Sequence, residues 1–298
     1  MAKQSAPTVV GRGLGGELRQ VRRARRLTGS GVATQLGWQP SKLSRIETGQ
    51  QGIRLEEIAA LLAIYGVVGE ERKRLLDMAR RGREPGWWET HSAGLTPWSR
   101  TFIRFEAEAT RIVGWEPLLV PGLLQLPDYT SALMKACGVA PADAQARVAA
   151  RLGRQAILAR DEPPELSLVI DEMVLRRPLG GRRLMARQLH HLIEMMDRPN
   201  VTLQVLPLEC AGHSGLDGAF VLFDFDRLPP VVHLEHRISS IFLEKPDQVD
   251  VFRREADTLA RSALNPAESM KLIGQVAAEH ERERAADDDR RVVGGFLA

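Results

Sequence analysis

The chain lacks most of the features that would assign it to a class at once. Only two of its 298 residues are cysteines, Cys137 and Cys210, far from each other and from any paired His. That excludes a disulfide framework and a zinc spacing, and it fits a reducing cytoplasm. No apolar run reaches the roughly 18 to 20 residues needed to span a bilayer, and the opening MAKQSAPTVV has no apolar signal-peptide region. A soluble, cytoplasmic protein with no membrane partner is therefore expected. There is no internal repeat, and the formal net charge is only +3, which by itself names no partner.

The length suits roughly two domains of about 150 residues each, and an apolar content of 44% can build real cores. The charge is unevenly spread. Residues 1–83 carry 16 Lys and Arg against 7 Asp and Glu, a net +9, whereas the rest carries 25 against 31, a net −6. Such polarity suggests a polyanion for the front part and a different role for the remainder.

Residues 1–10 read as a disordered leader. From Leu14 the pattern is helical, with Leu14, Leu18 and Val21 at helical spacing. A short run from Ser30 to Leu36 follows the Thr28-Gly29 break and stops at Gly37. A third helix starts at Gln39-Pro40, turns Leu43 and Ile46 inward and ends at Thr48-Gly49. Arg54 to Tyr65 and Glu70 to Arg81 complete five helices, so residues 11–83 form a mainly α domain. The breakers in Arg83-Glu84-Pro85-Gly86 mark its end.

Residues 84–278 read as an α+β domain with a small, largely antiparallel sheet. Helices are expected over Phe102 to Val113, from near Asp128, over Asp143 to Arg160, Leu184 to Met196 and Asp247 to Ala263. Strands are expected over Leu166 to Asp171, Val201 to Pro207, Ala219 to Phe225, Val231 to His236 and Ser239 to Leu243. Residues 279–298 are nearly all charge and Ala, a charged tail that is either a solvated helix or frayed.

The third helix carries the chemistry. With Leu43 and Ile46 in the core, the 100° step per residue places Ser41, Ser44, Arg45 and Thr48 on the exposed face, flanked by Lys42 and Glu47. A face of small polar residues with one long cation suits a major groove about 12 Å wide, where Arg can donate two bonds to guanine and Gln39 can reach an adenine edge. Arg19, Arg22, Arg23, Arg25 and Arg26 load the first helix with cations able to neutralise phosphates.

The run LRQVRRARRLTGSGVATQLGWQPSKLSRIETG resembles the Cro/cI-type helix-turn-helix. The resemblance implies double-stranded DNA as partner, base reading by Gln39, Pro40, Ser41 and Arg45, and phosphate or flanking contacts from Arg23, Arg26, Lys42, Ser44 and Thr48. It also implies a structural pair, Arg22 with Glu47, bracing the first and third helices. Where the family usually has Gln at the start of helix two this chain has Gly29, and Pro40 removes a usual polar side chain. Further on, Phe102-Ile-Arg-Phe-Glu-Ala-Glu-Ala, Pro121-Gly-Leu-Leu-Gln, Arg154-Gln155, Asp171-Glu172 and Asn200-Val-Thr-Leu-Gln-Val-Leu-Pro207 resemble an accessory domain of unknown function common in actinobacterial regulators of this type. A homodimer reading two half-sites is expected. The second domain is expected to receive a signal, either a small protein encoded by a neighbouring gene or a small-molecule effector. The competing expectation is a protein-interaction module of a toxin-antitoxin-like pair that uses DNA binding for autoregulation.

Other constellations read as structural. Strand alternation puts His233 and Glu235 on one face and His236 on the other, which suits sheet-surface residues better than a metal site. Cys210, His213 and Asp217 lie in a Gly-rich loop without a strand-to-helix elbow, so no catalytic residues, no enzyme activity and no cofactor are expected. Leu123-Leu124 and Trp87-Trp88 read as domain-packing surface or a groove lining, and Gly180-Gly181 as a turn before a helix.

Overall fold

A computed structural model describes residues 9–47, 51–81, 97–210, 212–226, 228–237 and 239–295, with backbone alone at 9–13, 78, 81, 97 and 284–295. The chain divides into two compact units, Met1–Phe105 with Asp226–Pro229, and Glu106–Phe225 with Pro230–Ala298. The Pro85-Gly86 breakers, Trp87 and Trp88 lie outside the described residues.

The first unit opens with five helices: α1 (Val9–Ala24), α2 (Gly29–Gln35), α3 (Pro40–Glu47), α4 (Leu55–Ile64) and α5 (Gly69–Arg81). Val9 and Val10, expected in the leader, form the first turn of α1; the glycines at 11, 13, 15 and 16 dilute the apolar pattern there, so periodicity is visible only from Leu14. Leu14 and Leu18 of α1 bury against Val32 and Ala33 of α2, Leu43 and Ile46 of α3, Ile58, Leu61 and Leu62 of α4, and Leu75 of α5. Burial of each such side chain is worth about 1.5–3 kcal/mol, which sets the helix orientations more firmly than propensity does. At Gly15 the α1 backbone approaches α3 so closely that a Cβ would collide with the carbonyl oxygen of Ile46.

Three helices of this unit end in the same way. In a Schellman cap the residue after the helix adopts a left-handed conformation, and the next N–H bonds back five residues. Gly37 (φ 64°) closes α2 with Trp38 N–H on Ala33 O at 2.8 Å, and Gly66 (φ 67°) closes α4 with Val67 N–H on Leu62 O at 2.9 Å. At the end of α1 the left-handed residue is Arg26 (φ 56°), with Leu27 N–H on Arg22 O at 3.1 Å. Arg26 is the only described non-glycine residue with positive φ.

After α6 (Pro97–Glu108), the second unit contains β1 (Arg111–Glu116), α7 (Pro127–Ala136), α8 (Pro141–Gln155), β2 (Glu165–Asp171), α9 (Glu172–Arg176), α10 (Arg182–Met196), β3 (Val201–Leu206), β4 (Phe220–Asp224), β5 (Val231–Glu235), β6 (Ser240–Leu243), α11 (Pro246–Ser262) and α12 (Pro266–Gly295). The six strands form one sheet in the order β3-β2-β1-β4-β5-β6. The pairings β1–β4, β4–β5 and β5–β6 are antiparallel, and β1–β2 and β2–β3 are parallel, which gives an α+β unit with a mixed sheet. The parallel side follows from helical crossovers, because strands running the same way cannot be joined by a tight turn.

Two sequence expectations change here. The helix expected over Phe102 to Val113 stops at Glu108, and Ile112 to Trp115 belong to a central strand. Ile112 and Val113 fit either period; pairing with β2 on one side and β4 on the other decides for the strand. The charged tail starts inside α12 rather than after it. Glu279, Glu281 and Glu283 pair with Arg176, His190 and Arg182, which holds the first turns of the tail on α9 and α10. Apolar periodicity could not show this, since the attachment there is polar: besides the three pairs, the buried His280 ring lies 2.8 Å from Leu175 O.

One sheet face carries Trp115, Phe220, Leu222 and Val232, packed on Val249, Ala256 and Leu259 of α11. Trp115 is 1% exposed, and its indole N–H donates to Gly215 O at 2.7 Å. Leu123 and Leu124, expected as domain-packing surface or a groove lining, are buried in a 3-10 turn over Gly122–Leu124. Gly180 and Gly181 have φ of 74° and 98° and lead into α10, as their sequence position suggested.

Candidate nucleic-acid interface

The α2–α3 pair is built by its caps. Thr28 caps α2 through its hydroxyl, which accepts from Gly31 N–H at 3.1 Å. Gly37 then makes the turn, and Pro40 opens α3, where its missing N–H costs nothing. Helix α3 packs on α1 and α2 through Leu43 and Ile46. This burial leaves Gln39, Pro40, Ser41, Ser44 and Arg45 exposed. The four expected base-reading residues, Gln39, Pro40, Ser41 and Arg45, therefore lie together along the start and outer face of one short helix. Thr48 lies outside the described residues.

Arg45 Nε donates to Gln51 Oε1 at 3.0 Å. Nothing in the periodicity of α3 pointed to Gln51, because it lies beyond the end of the helix. Lys42 is more constrained than a free phosphate contact. Its ammonium lies 2.7 Å from Glu57 Oε1 and 4.1 Å from the Trp38 ring centroid, so a phosphate has to compete with an ion pair and a cation–π contact. Burial raises the Glu57 carboxyl, but hydrogen bonds from Lys42 and the Arg54 backbone outweigh it, and the pKa is lowered from its ordinary value.

Glu47 is not on the outer flank. It is 6% exposed and is held by Arg22 in a two-pronged contact, Nε to Oε1 at 2.6 Å and Nη2 to Oε2 at 2.8 Å. Tyr65 OH donates to the same carboxylate at 3.3 Å, and Arg22 Nη1 donates to Leu27 O at 2.8 Å. This network ties α1, its cap, α3 and the end of α4 together. The hydrogen bond to Glu47, opposed by burial, raises the Arg22 guanidinium above its already high ordinary value, and burial pushes the Tyr65 phenol up. Arg19, Arg23, Arg25 and Arg26 are exposed on α1 and its cap.

A family model described as a helix-turn-helix domain matches residues 14–75, and one described as a domain of unknown function (DUF5753) matches residues 99–275, well over half of the chain. The chain belongs to the DUF5753 family. No curated protein and no solved structure matches it. The helix-turn-helix match runs from within α1 to the middle of α5, so the exposed face of α3 and the Arg22–Glu47 brace lie inside a domain of a type that suggests DNA binding.

The remaining constellations of the DUF5753 part are placed as follows. His233 and Glu235 share a sheet face, and β5 ends at Glu235, before His236. His233 Nε2 lies 2.5 Å from Ser240 Oγ, and no group of three or more His, Cys, Asp or Glu among the described residues is placed to hold a metal. Cys210 Sγ faces Gly212 O at 3.9 Å, while the His213 ring packs edge-on against Trp115 with 5.3 Å between centroids; no hydrogen bond joins Cys210, His213 and Asp217 among the described residues. No described helix is long and apolar enough to cross a membrane.

Proposed function

We infer that the protein is a sequence-specific DNA-binding transcription regulator of the Cro/cI type, with α3 lying in the major groove. The observation that carries this is the exposed Gln39, Pro40, Ser41 and Arg45 surface on a helix whose opposite side is locked to α1 and α2. Arg45, with Gln51 on its Nε, reads guanine, and Ser41 and Gln39 read neighbouring base edges. Arg23, Arg26, Ser44, Lys42 and Thr48 contact phosphate or flank the readers. Two copies form a homodimer that spans adjacent half-sites, since one short helix reads only a few base pairs. The DUF5753 part is the regulated part, responding to a small protein or a small-molecule effector, and the chain carries out no catalysis. A signal acts on DNA only by binding the DNA-competent and incompetent arrangements with different affinity.

The test compares two variants on the selected cognate duplex and on random duplex. Arg45→Ala costs about 1–3 kcal/mol on the cognate site and relaxes base preference, whereas Arg23→Ala weakens all duplexes alike and lowers the salt slope by about 1. Equal affinity of the unmutated protein for cognate and random duplex rules the regulator out and favours the interaction-module reading.

A further inference from the structure

The strand order of the DUF5753 part reverses at β1. From β1 the chain crosses to β2 and then β3 on one side, while β4, β5 and β6 lie on the other. In open parallel sheets ligands bind beyond the carboxyl ends of the strands at such a reversal; here β4 runs antiparallel to both β1 and β5, so the carboxyl ends of β1 and β5 lie at the same end of the sheet. The last residue of β1 is Glu116. By register, Gly114 pairs with Val221 and Val221 with His233, so Gly114, Val221 and His233 share a face; Glu116 and Glu235, each two residues further along, share it too. This is the face opposite Trp115 and the α11 core.

Two arginines from α8 meet this corner, and they are satisfied very differently. Arg154 grips Glu106 with both prongs, Nε to Oε2 at 2.6 Å and Nη2 to Oε1 at 2.8 Å. Among the described residues Arg151 makes one hydrogen bond, Nη1 to Gln125 Oε1 at 2.7 Å, and no ion pair. Gln125 has little more to offer: Oε1 also accepts from Thr130 at 2.9 Å, and Nε2 donates to Val120 O at 2.7 Å. Glu116 makes no hydrogen bond or ion pair among the described residues, although the charges of Arg151 and Arg154 act on it. Protein surrounds both Glu116 and Arg151 on nearly every side, yet both keep surface open to solvent, and neither is among the sealed polar groups without a partner. Side chains that are enclosed but still wet line a crevice. It therefore holds a guanidinium with spare donors and a carboxylate with spare acceptors, which feel each other's charge but are not bonded to each other.

We propose that this crevice binds a small zwitterion, an α-amino acid or a close relative, with its carboxylate on Arg151 and its ammonium on Glu116. The choice follows from the charges that remain after Arg154 and Glu106 neutralise each other. A simple anion gains Arg151 but meets Glu116 and Glu235, a simple cation meets Arg151, and only a molecule carrying both charges satisfies both sides. Bonds to desolvated charged groups are worth more than neutral ones, and among the described residues neither Arg151 nor Glu116 is bonded to an opposite charge. The groups facing Glu116 set its ionisation. Burial raises its carboxyl to about 7, Arg151 and Arg154 oppose this, and Glu235 adds to it. His233 is held near 4 by burial and by Arg154, so it stays neutral, and Tyr129 is pushed up, by burial first, and stays a phenol. Binding of an ammonium therefore strengthens as the pH rises through about 7.

The proposal rests on reading the DUF5753 part as the regulated part, but its test needs no DNA. The full chain is melted and titrated calorimetrically with each standard amino acid at millimolar concentration, and with the matching deaminated acids and decarboxylated amines. At least one amino acid raises the melting temperature, and its acid and amine relatives do not. Arg151→Gln abolishes the shift. Glu116→Gln, which breaks no hydrogen bond, weakens binding about tenfold or more at pH 8 and removes its pH dependence. The proposal is overturned if no amino acid shifts the unmutated protein, if acid or amine alone binds as well, or if Glu116→Gln binds unchanged. DNA affinity with and without the bound amino acid is then a separate measurement: binding without any change in DNA affinity keeps the site and refutes its regulatory role.

Discussion

Replacing Arg26 by glycine should make the first unit more stable and its DNA binding weaker. Arg26 occupies, at φ 56°, the cap position that Gly37 and Gly66 fill after α2 and α4. A side chain in that conformation costs about 1–2 kcal/mol relative to glycine, because Cβ crowds the following carbonyl. Glycine returns about 0.5–1 kcal/mol of this through its greater freedom in the unfolded chain. The net gain is roughly 0.5–1 kcal/mol, or about 2–8 °C in melting temperature for a domain of this size. The substitution also removes an exposed guanidinium expected on phosphate, so the slope of log affinity against log salt should fall by about 0.9. Paired measurements suffice: a thermal melt of the free protein and a salt titration of binding to random duplex. If Arg26→Gly is less stable than the unmutated protein, the cap is not strained. If the salt slope is unchanged, Arg26 is not a phosphate contact and its retention at a glycine position has no functional explanation.

The Arg22–Glu47 brace should cost about 2–3 kcal/mol of stability when Glu47→Gln breaks it, since Arg22 is then left largely buried without its carboxylate; the double substitution Arg22→Met, Glu47→Leu should recover most of that, and a coupling below about 0.5 kcal/mol in the full cycle would show that the two act independently. Gly15→Ala should destabilise the helix-turn-helix domain by about 2–3 kcal/mol, because the opposing group is the Ile46 backbone and cannot rotate away; a melting temperature equal to that of the unmutated chain contradicts the close approach of α1 and α3. Glu116 and His233 should titrate against each other. Between about 4.5 and 7 the folded chain keeps a Glu116 proton that the unfolded chain has lost, so stability falls as pH rises. Between about 4 and 6.5 the unfolded chain holds a His233 proton that the folded chain lacks, so stability rises with pH. Glu116→Gln removes the first slope, and the variant should be more stable than the unmutated protein at pH 7, by about 1–2 kcal/mol after allowing for partial exposure. It should then lose stability as the pH drops from 6.5 to 4, and superimposable denaturation curves across that range would refute both assignments.

Most of the first unit could be read from residue order alone. Its helices are short, local and punctuated, and Leu14, Leu18, Leu43, Ile46, Ile58 and Leu62 repeat at helical spacing between Thr28, Gly37 and Pro40, so both the buried and the exposed face of α3 follow from the 100° step. The Arg22–Glu47 pair was legible only through family resemblance, because two residues 25 apart meet only after α1 and α3 have packed. Tertiary contacts alone decided that Lys42 turns to Glu57 and Trp38, that Gln51 takes Arg45, and that Arg26 adopts a glycine conformation. The second unit shows the same division more sharply. Five strands announced themselves by composition, but Arg111–Glu116 did not, since Ile112 and Val113 suit a helix until β2 and β4 supply hydrogen bonds on both sides. No spacing rule joins Glu116 at the end of β1 to Arg151 in the crossover that follows it. Their proximity is a product of sheet order, and an unpaired buried charge can be recognised only when every neighbour that might have paired with it has been placed.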